Sequence, residues 1–269
     1  MKKLRNLSSF LVLFTALSFI SCDTEPVDSE LVSQNPDENP GTNPGTNPGT
    51  DPGTNPGTSS GDYWPMALNN QWVFTQEGAE LQPMVISSSE IVGGVTYYKV
   101  DQFFEQAGTD DLTGTAVVRL SKTGGNYSVK INVDIPAVEG MPTITVSPYE
   151  YIVLKDNLDA GQGWTQDVTQ TTTIDIPGFP PTAMNIHFEG TIQEKNVTAV
   201  VDGTTYNNVI KVKLTQSMDI EDMSGTITTT MVTSYMWFAK DIGPIRSQSE
   251  TADSEEMNYV QTLSSYIIN

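Results

Sequence analysis

Residues 126–135 read NYSVKINVDI, and this stretch decides the fold. Tyr127, Val129, Ile131, Val133 and Ile135 are apolar, and Ser128, Lys130, Asn132 and Asp134 between them are polar. A helix would spread such a pattern around its whole surface, whereas a strand sends alternate side chains to opposite faces. The stretch is therefore a strand with one buried and one wet face, as antiparallel sheets allow. Thr123-Gly124-Gly125 marks a turn on one side of it, and Pro136 ends it on the other.

Outward from this strand the same period recurs. Met184, Ile186 and Phe188 alternate with Asn185, His187 and Glu189, and Ile210, Val212 and Leu214 alternate with Lys211, Lys213 and Thr215. Gly93-Gly94, Asp202-Gly203 and Met223-Ser224-Gly225 supply turns between such runs. No segment keeps a helical period over three turns. The reading is all-β: a large antiparallel meander sheet, an open barrel or a sandwich, with about a dozen strands and little helix over 62–269.

Two phrases in that domain match. Val92 to Tyr97 read VGGVTY and Val201 to Tyr206 read VDGTTY. Each is preceded by a turn and a tryptophan, NNQW ending at Trp72 and GQGW ending at Trp164. Each is followed by an apolar-small-Lys-x-x-Gly phrase, at Leu120–Gly125 and Phe238–Gly243. The order occurs twice and reads as a degenerate internal duplication, with halves at about 62–126 and 155–247. The glycine in each VxGxTY phrase suits the second position of a tight hairpin turn, where φ is positive.

The chain has 269 residues with a net charge of −20. Its start, MKKLRNLSSFLVLFTALSFISC, has a basic n-region and an apolar run too short to span a bilayer comfortably. Cys22, the single cysteine, ends this segment after Phe19-Ile20-Ser21, a pattern resembling a bacterial lipobox. Residues 1–21 are read as a lipoprotein signal peptide and Cys22 as the lipid attachment site. Cleavage there leaves a net charge of 10 − 33 = −23. That charge repels phosphate backbones, so no nucleic-acid partner is expected.

Residues 22–61 read as a tether. Asp23, Glu25, Asp28 and Glu30 follow Cys22 closely, and Asn39–Thr58 are five Asn/Asp-Pro-Gly-Thr units. Such units have no side chains for a core, and as a coil the tether would span on the order of 35 Å. The acidic residues resemble the export signal of surface lipoproteins in Bacteroidota-type bacteria. That likeness implies a bacterial outer-membrane lipoprotein facing the cell surface rather than the periplasm.

Residues 63–72, YWPMALNNQW, and 237–245, WFAKDIGPI, resemble a group of Bacteroidota lipoproteins of unassigned function. Those proteins open with Tyr-aromatic-Pro-Leu-x-x-Gly-Asn-x-Trp and close with Trp-aromatic-Ala-x-Gly-Val-Gly. Asn69 stands for the first Gly and Asp241 for the second; Asn tolerates positive φ, Asp less comfortably. The resemblance implies an envelope address and a β architecture, and carries no activity.

Chemistry is sparse. His187 is the only histidine and lies mid-strand on a polar face, which leaves no histidine pair or cysteine set for a metal. No phosphate-cradling loop occurs. Asp110-Asp111, Asp219–Asp222 and Asp253–Glu256 read as solvated acidic turns without calcium-loop spacing. At least three of Trp64, Trp72, Trp164 and Trp237 are expected in the core. Two tips follow an Asp-Ile-Pro echo and carry apolar residues, Val138 and Met141 on one and Phe179 on the other. Meander geometry makes these tips neighbours, so Val138, Met141 and Phe179 are the candidate apolar contact patch.

The functional expectation is a non-catalytic, cofactor-free binding or adhesion protein held at the membrane by its lipid. A glycan, an apolar ligand or an envelope protein would be its partner. The alternatives are a carboxylate-dependent glycan hydrolase and a purely structural envelope component.

Overall fold

The computed structural model describes residues 57–104, 115–137, 142–221, 227–251 and 258–269, all within the compact unit Asp51–Asn269. Every regular element among them is a strand. The first eight are β1 (Gln71–Gln76), β2 (Ala79–Glu80), β3 (Met84–Val92), β4 (Val95–Asp101), β5 (Thr115–Thr123), β6 (Asn126–Asp134), β7 (Ile144–Val146) and β8 (Tyr149–Lys155). The rest are β9 (Gly163–Ile174), β10 (Thr182–Val201), β11 (Thr204–Glu221), β12 (Ile227–Ala239), β13 (Gly243–Thr251) and β14 (Tyr259–Ile267).

They form one antiparallel sheet in the order β7-β9-β10-β11-β12-β13-β14-β1-β3-β4-β5-β6-β8, with β2 folded back on β1. The sheet is not closed into a barrel. Its two ends, β7 and β8, are separated in the chain only by Ser147-Pro148. Pro148 has no N–H for a ladder, and the run breaks there: β7 pairs with β9, and β8 pairs with β6. The expected meander of hairpins through 126–135, 143–154, 164–176 and 182–195 is thus interrupted once, between β8 and β9. Two side chains of β9 bridge that gap, Trp164 Nε1 donating to Ile152 O at 3.3 Å. Gln166 Nε2 donates to Glu150 O at 3.0 Å, and Ile152 N–H donates to Gln166 Oε1 at 2.9 Å.

Turn chemistry gives the sheet two unlike ends. The β3/β4 turn has φ of 60° and 84° at Gly93 and Gly94, and the β10/β11 turn 48° and 77° at Asp202 and Gly203. Positive φ at both central residues makes these the primed hairpin turns whose twist suits the strands. The β5/β6 and β12/β13 turns lie at the same end, and there Asp241 takes φ 61°; Asn69, just before β1, takes φ 67°. Both therefore adopt the conformation that the glycines of the resembled phrases would supply. The opposite end carries residues 102–104, 135–137, 142–143, 175–181 and 258, besides the Glu77-Gly78 turn.

The repeated phrases occupy matching places. Trp72 and Trp164 open β1 and β9, the VxGxTY phrases form the β3/β4 and β10/β11 turns, and the Lys-x-x-Gly phrases form the β5/β6 and β12/β13 turns. Each tryptophan also sits over a glycine. A Cβ on Gly190 would fall inside the Trp164 ring, and one on Gly243 would meet Trp72 Nε1 at 2.9 Å.

Large side chains fill the inward strand positions towards the short-turn end. Trp64, Trp72, Ile210, Val212, Phe238 and Ile245 are completely buried there. Residues 57–61, expected in the tether, are docked on this end instead. Ser59 Oγ donates to Asp156 Oδ2 at 2.6 Å and Ser60 N–H to Oδ1 at 3.0 Å, and Asp156 is fully buried. Lys122 Nζ donates to Gly61 O at 2.8 Å, and Asp241 N–H donates to Asp62 O at 2.6 Å. Both Lys-x-x-Gly turns thus grip the incoming strap.

Candidate ligand cavity

Towards the long-connection end the interior is hollow. A cavity of ≈ 220 Å³ lies between the inward faces of β8, β11, β12, β13 and β14 and the start of the 102–114 connection. Period two points Leu214 and Gln216 of β11 inward together. Cross-strand register then sets Leu214 opposite Ser234, and Met236 opposite Ser247. One part of the lining is apolar: Phe103, Phe104, Val153, Leu214 and Met236. The other part is polar and neutral: Gln216, Ser234 and Ser247, with the phenols of Tyr151 and Tyr259. Among the described residues, no acidic or basic side chain lines it.

The polar wall continues beyond the cavity. Ser249, Thr251 and Gln261 also point inward and are buried, and Gln261 Nε2 donates to Gln76 Oε1 at 2.9 Å. Burial raises the pKa of Tyr149, Tyr151 and Tyr259 above the usual phenol value, with the Ser247 hydrogen bond opposing the rise at Tyr259. All three therefore stay protonated near neutral pH and can donate as well as accept hydrogen bonds.

Aromatic rings form the other side. Tyr151 stacks on Phe188 with centroids 4.4 Å apart, and Tyr149 lies 6.1 Å from Tyr151. Phe103 and Phe104 turn in from the β4–β5 connection, Phe103 against Trp64 at 6.0 Å and Phe104 against Phe74 at 5.4 Å. Placing two successive rings inward takes an unusual backbone: φ is 58° at Gln102 and 41° at Phe104. A non-glycine residue in that region costs about 1–3 kcal/mol, and such strain is concentrated at functional sites.

A second hollow of ≈ 560 Å³ lies at the short-turn end, lined by Asp62, Trp64, Met66, Tyr98 and Lys122 among others. It is the space between the strap and the sheet, and the Lys122–Asp62 ion pair at 3.5 Å crosses it.

Of the residues singled out by sequence, Cys22, Val138 and Met141 lie outside the described residues. Phe179 is 37% exposed in the 175–181 connection. The two tips spring from joined strands, since Asp175 N–H donates to Thr143 O at 2.9 Å. His187 is on the outer face, its Nδ1 2.6 Å from Asp167 Oδ1, and that hydrogen bond raises its pKa. Asp219 accepts from Thr229 Oγ1 at 2.7 Å. Asp110-Asp111 and Asp253–Glu256 lie outside the described residues. Trp64, Trp72 and Trp164 are core, whereas Trp237 is flanked on the outer face by Lys211 and Arg246 at 5.0 and 4.8 Å.

The cavity residues themselves escape a search for carboxylate pairs, histidines and metal spacings. One signal exists: after Ile245, β13 reads RSQSET, polar on both faces although inside a large sheet. Its inward Ser247, Ser249 and Thr251 mark where apolar filling stops.

Fold and site together define an all-β protein whose single open sheet wraps a packed core at one end and a neutral cavity at the other. No family model matches the chain, and no curated protein matches it. Among solved structures it is similar to a candidate lipoprotein from Parabacteroides distasonis ATCC 8503, at 9% identity and a TM-score of 0.43. The alignment covers 77% of this chain and 99% of that one. It is also similar to a candidate exported protein with a YmcC-like fold from Bacteroides fragilis NCTC 9343, at 12% identity, a TM-score of 0.42 and the same coverage.

Proposed function

We propose that this chain is a lipid-anchored protein of the bacterial outer membrane, displayed at the cell surface, that binds a small uncharged molecule inside its sheet. The observation that carries the binding role is the cavity. In a chain of net charge −20, a space whose described lining is wholly neutral selects against ions and for neutral molecules. A hollow also lowers stability relative to a filled core, which a purely structural envelope component would gain nothing from keeping. The described lining holds no carboxylate, so the two-carboxylate chemistry of a glycan hydrolase would need a different site.

The envelope address rests on the basic-then-apolar start, on Cys22 behind it and on the repeat tether. Cys22→Ala moves the protein from the membrane to the soluble fraction, because several acyl chains hold where one barely does. Retention of the mutant in the membrane fraction overturns the anchor. Protease added to intact cells cuts the stalk; cutting only after lysis places the domain on the periplasmic side.

Binding is tested by titrating the purified full chain with uncharged one-ring molecules: p-cresol, toluene, cyclohexanol and glucose. At least one binds the natural chain and not Met236→Trp, which fills the cavity. Ser234→Leu serves as the second filled variant should Met236→Trp fold poorly. If none of the four binds, the cavity is not a ligand site.

A further inference from the structure

We infer that the cavity takes a molecule with one largely apolar ring and only one to three oxygen functions, a phenol-like or cyclic-alcohol ligand rather than a sugar. This inference rests on the cavity being the ligand site. Size comes first. A cavity of 150 Å³ lined by aliphatic and aromatic groups holds benzene. At ≈ 220 Å³ the present one has room for a single six-membered ring and a few further atoms. Oligosaccharides, fatty acyl chains and fused multi-ring molecules fit it only in part.

Hydrogen bonding then separates the one-ring candidates. The backbone groups of β11 to β14 are engaged in the sheet ladder, so on that wall side chains must serve the ligand. Five polar side chains line the space: Tyr151, Gln216, Ser234, Ser247 and Tyr259. Two of these are already partners, Ser247 with Tyr259. A hexose brings five hydroxyls and a ring oxygen, each wanting partners once water is lost. Every hydroxyl left unmet weakens binding by roughly ten- to a hundred-fold. A sugar therefore leaves some of its groups unserved, whereas a ring with one or two oxygens can be satisfied completely.

The two-sided lining favours the same class. Phe103, Phe104, Leu214 and Met236 offer an apolar surface to the ring, and Gln216 and Ser234 offer neutral donors and acceptors to its substituents. A wholly apolar ring would strand those polar groups. An anion or cation would find no opposite charge among the described lining residues.

The test compares Kd values by isothermal titration for p-cresol, toluene and glucose on the purified full chain. The inference expects p-cresol to bind at least tenfold tighter than glucose and severalfold tighter than toluene. Gln216→Leu with Ser234→Ala should weaken p-cresol by about tenfold and leave toluene unchanged or improved. Glucose binding more tightly than p-cresol overturns the class while leaving the cavity as a ligand site. Toluene matching p-cresol in the natural chain overturns the role of the polar wall. Undiminished p-cresol binding by both filled variants, Met236→Trp and Ser234→Leu, places the ligand elsewhere and overturns the inference and the binding site together.

Discussion

The two ends of the sheet obey one alternation and differ in what their inward positions carry. At the short-turn end those positions hold Trp72, Ile210, Val212 and Phe238, all completely buried. A few residues further along the same strands they hold Gln216, Ser234, Ser247 and Ser249. The first set fills space at crystal-like density; the second is too small and too polar to do so. A single sheet can thus be a rigid scaffold at one end and a receptacle at the other. The strap 57–62 leads into Tyr63 and Trp64, which are buried.

The largest effect that could break the comparison is at Trp72, which is fully buried and donates from Nε1 to Ile242 O at 2.7 Å. Trp72→Ala is expected to cost about 3–5 kcal/mol in urea unfolding. Met236→Ala, at the cavity wall, is expected to cost nearer 2 kcal/mol, since that side chain has fewer neighbours to lose. Equal costs would mean that the hollow end is packed in solution.

Next comes the strap. Asp156→Ala leaves the Ser59 and Ser60 groups without their buried acceptor, for an expected loss of about 2–3 kcal/mol. Limited proteolysis should then cut within 57–61 long before the sheet is attacked. A variant that keeps natural stability and protection would make the strap an accessory rather than a part of the packed end.

A smaller effect sharpens the other side. Ser249 is 5% exposed on the polar wall, yet Ser249→Val is expected to change stability by no more than about 1 kcal/mol in either direction. The reverse exchange at the packed end, Val212→Ser, should cost about 2–3 kcal/mol. Matching losses from the two would remove the distinction.

The smallest effect belongs to the outer face. His187 has its pKa raised, chiefly by the hydrogen bond to Asp167. A raised folded value means that its stabilisation is complete below the unfolded pKa near 6.5 and fades as pH rises through the folded one. With the side chain 43% exposed, His187→Gln should shift stability by less than about 0.5 kcal/mol. An imidazole titrating at or below 6.5 by NMR would remove the interaction.

How much of this was readable in the chain depends on range. NYSVKINVDI and MNIHFE name their own strands and faces, because period two is a local property. VGGV and VDGT name their turns, because positive φ is a local demand. The pairing of β14 with β1 was not readable: Gln71 meets Ile267 across nearly the whole domain, and nothing near either residue specifies the other. Nor was the strap, since Ser59 and Ser60 look like tether until Asp156 is brought to them.

The sequence by itself determined the strands, the tight turns and the signals for an envelope address. These depend on neighbours within a few residues: alternation, glycine placement, and a lone cysteine behind an apolar run. Tertiary structure alone decided where the sheet stays open, how the strap docks, and that a strand polar on both faces lines a cavity. Burial belongs to the assembled sheet. A serine on β13 carries no mark of being inside until four other strands and two phenylalanines enclose it.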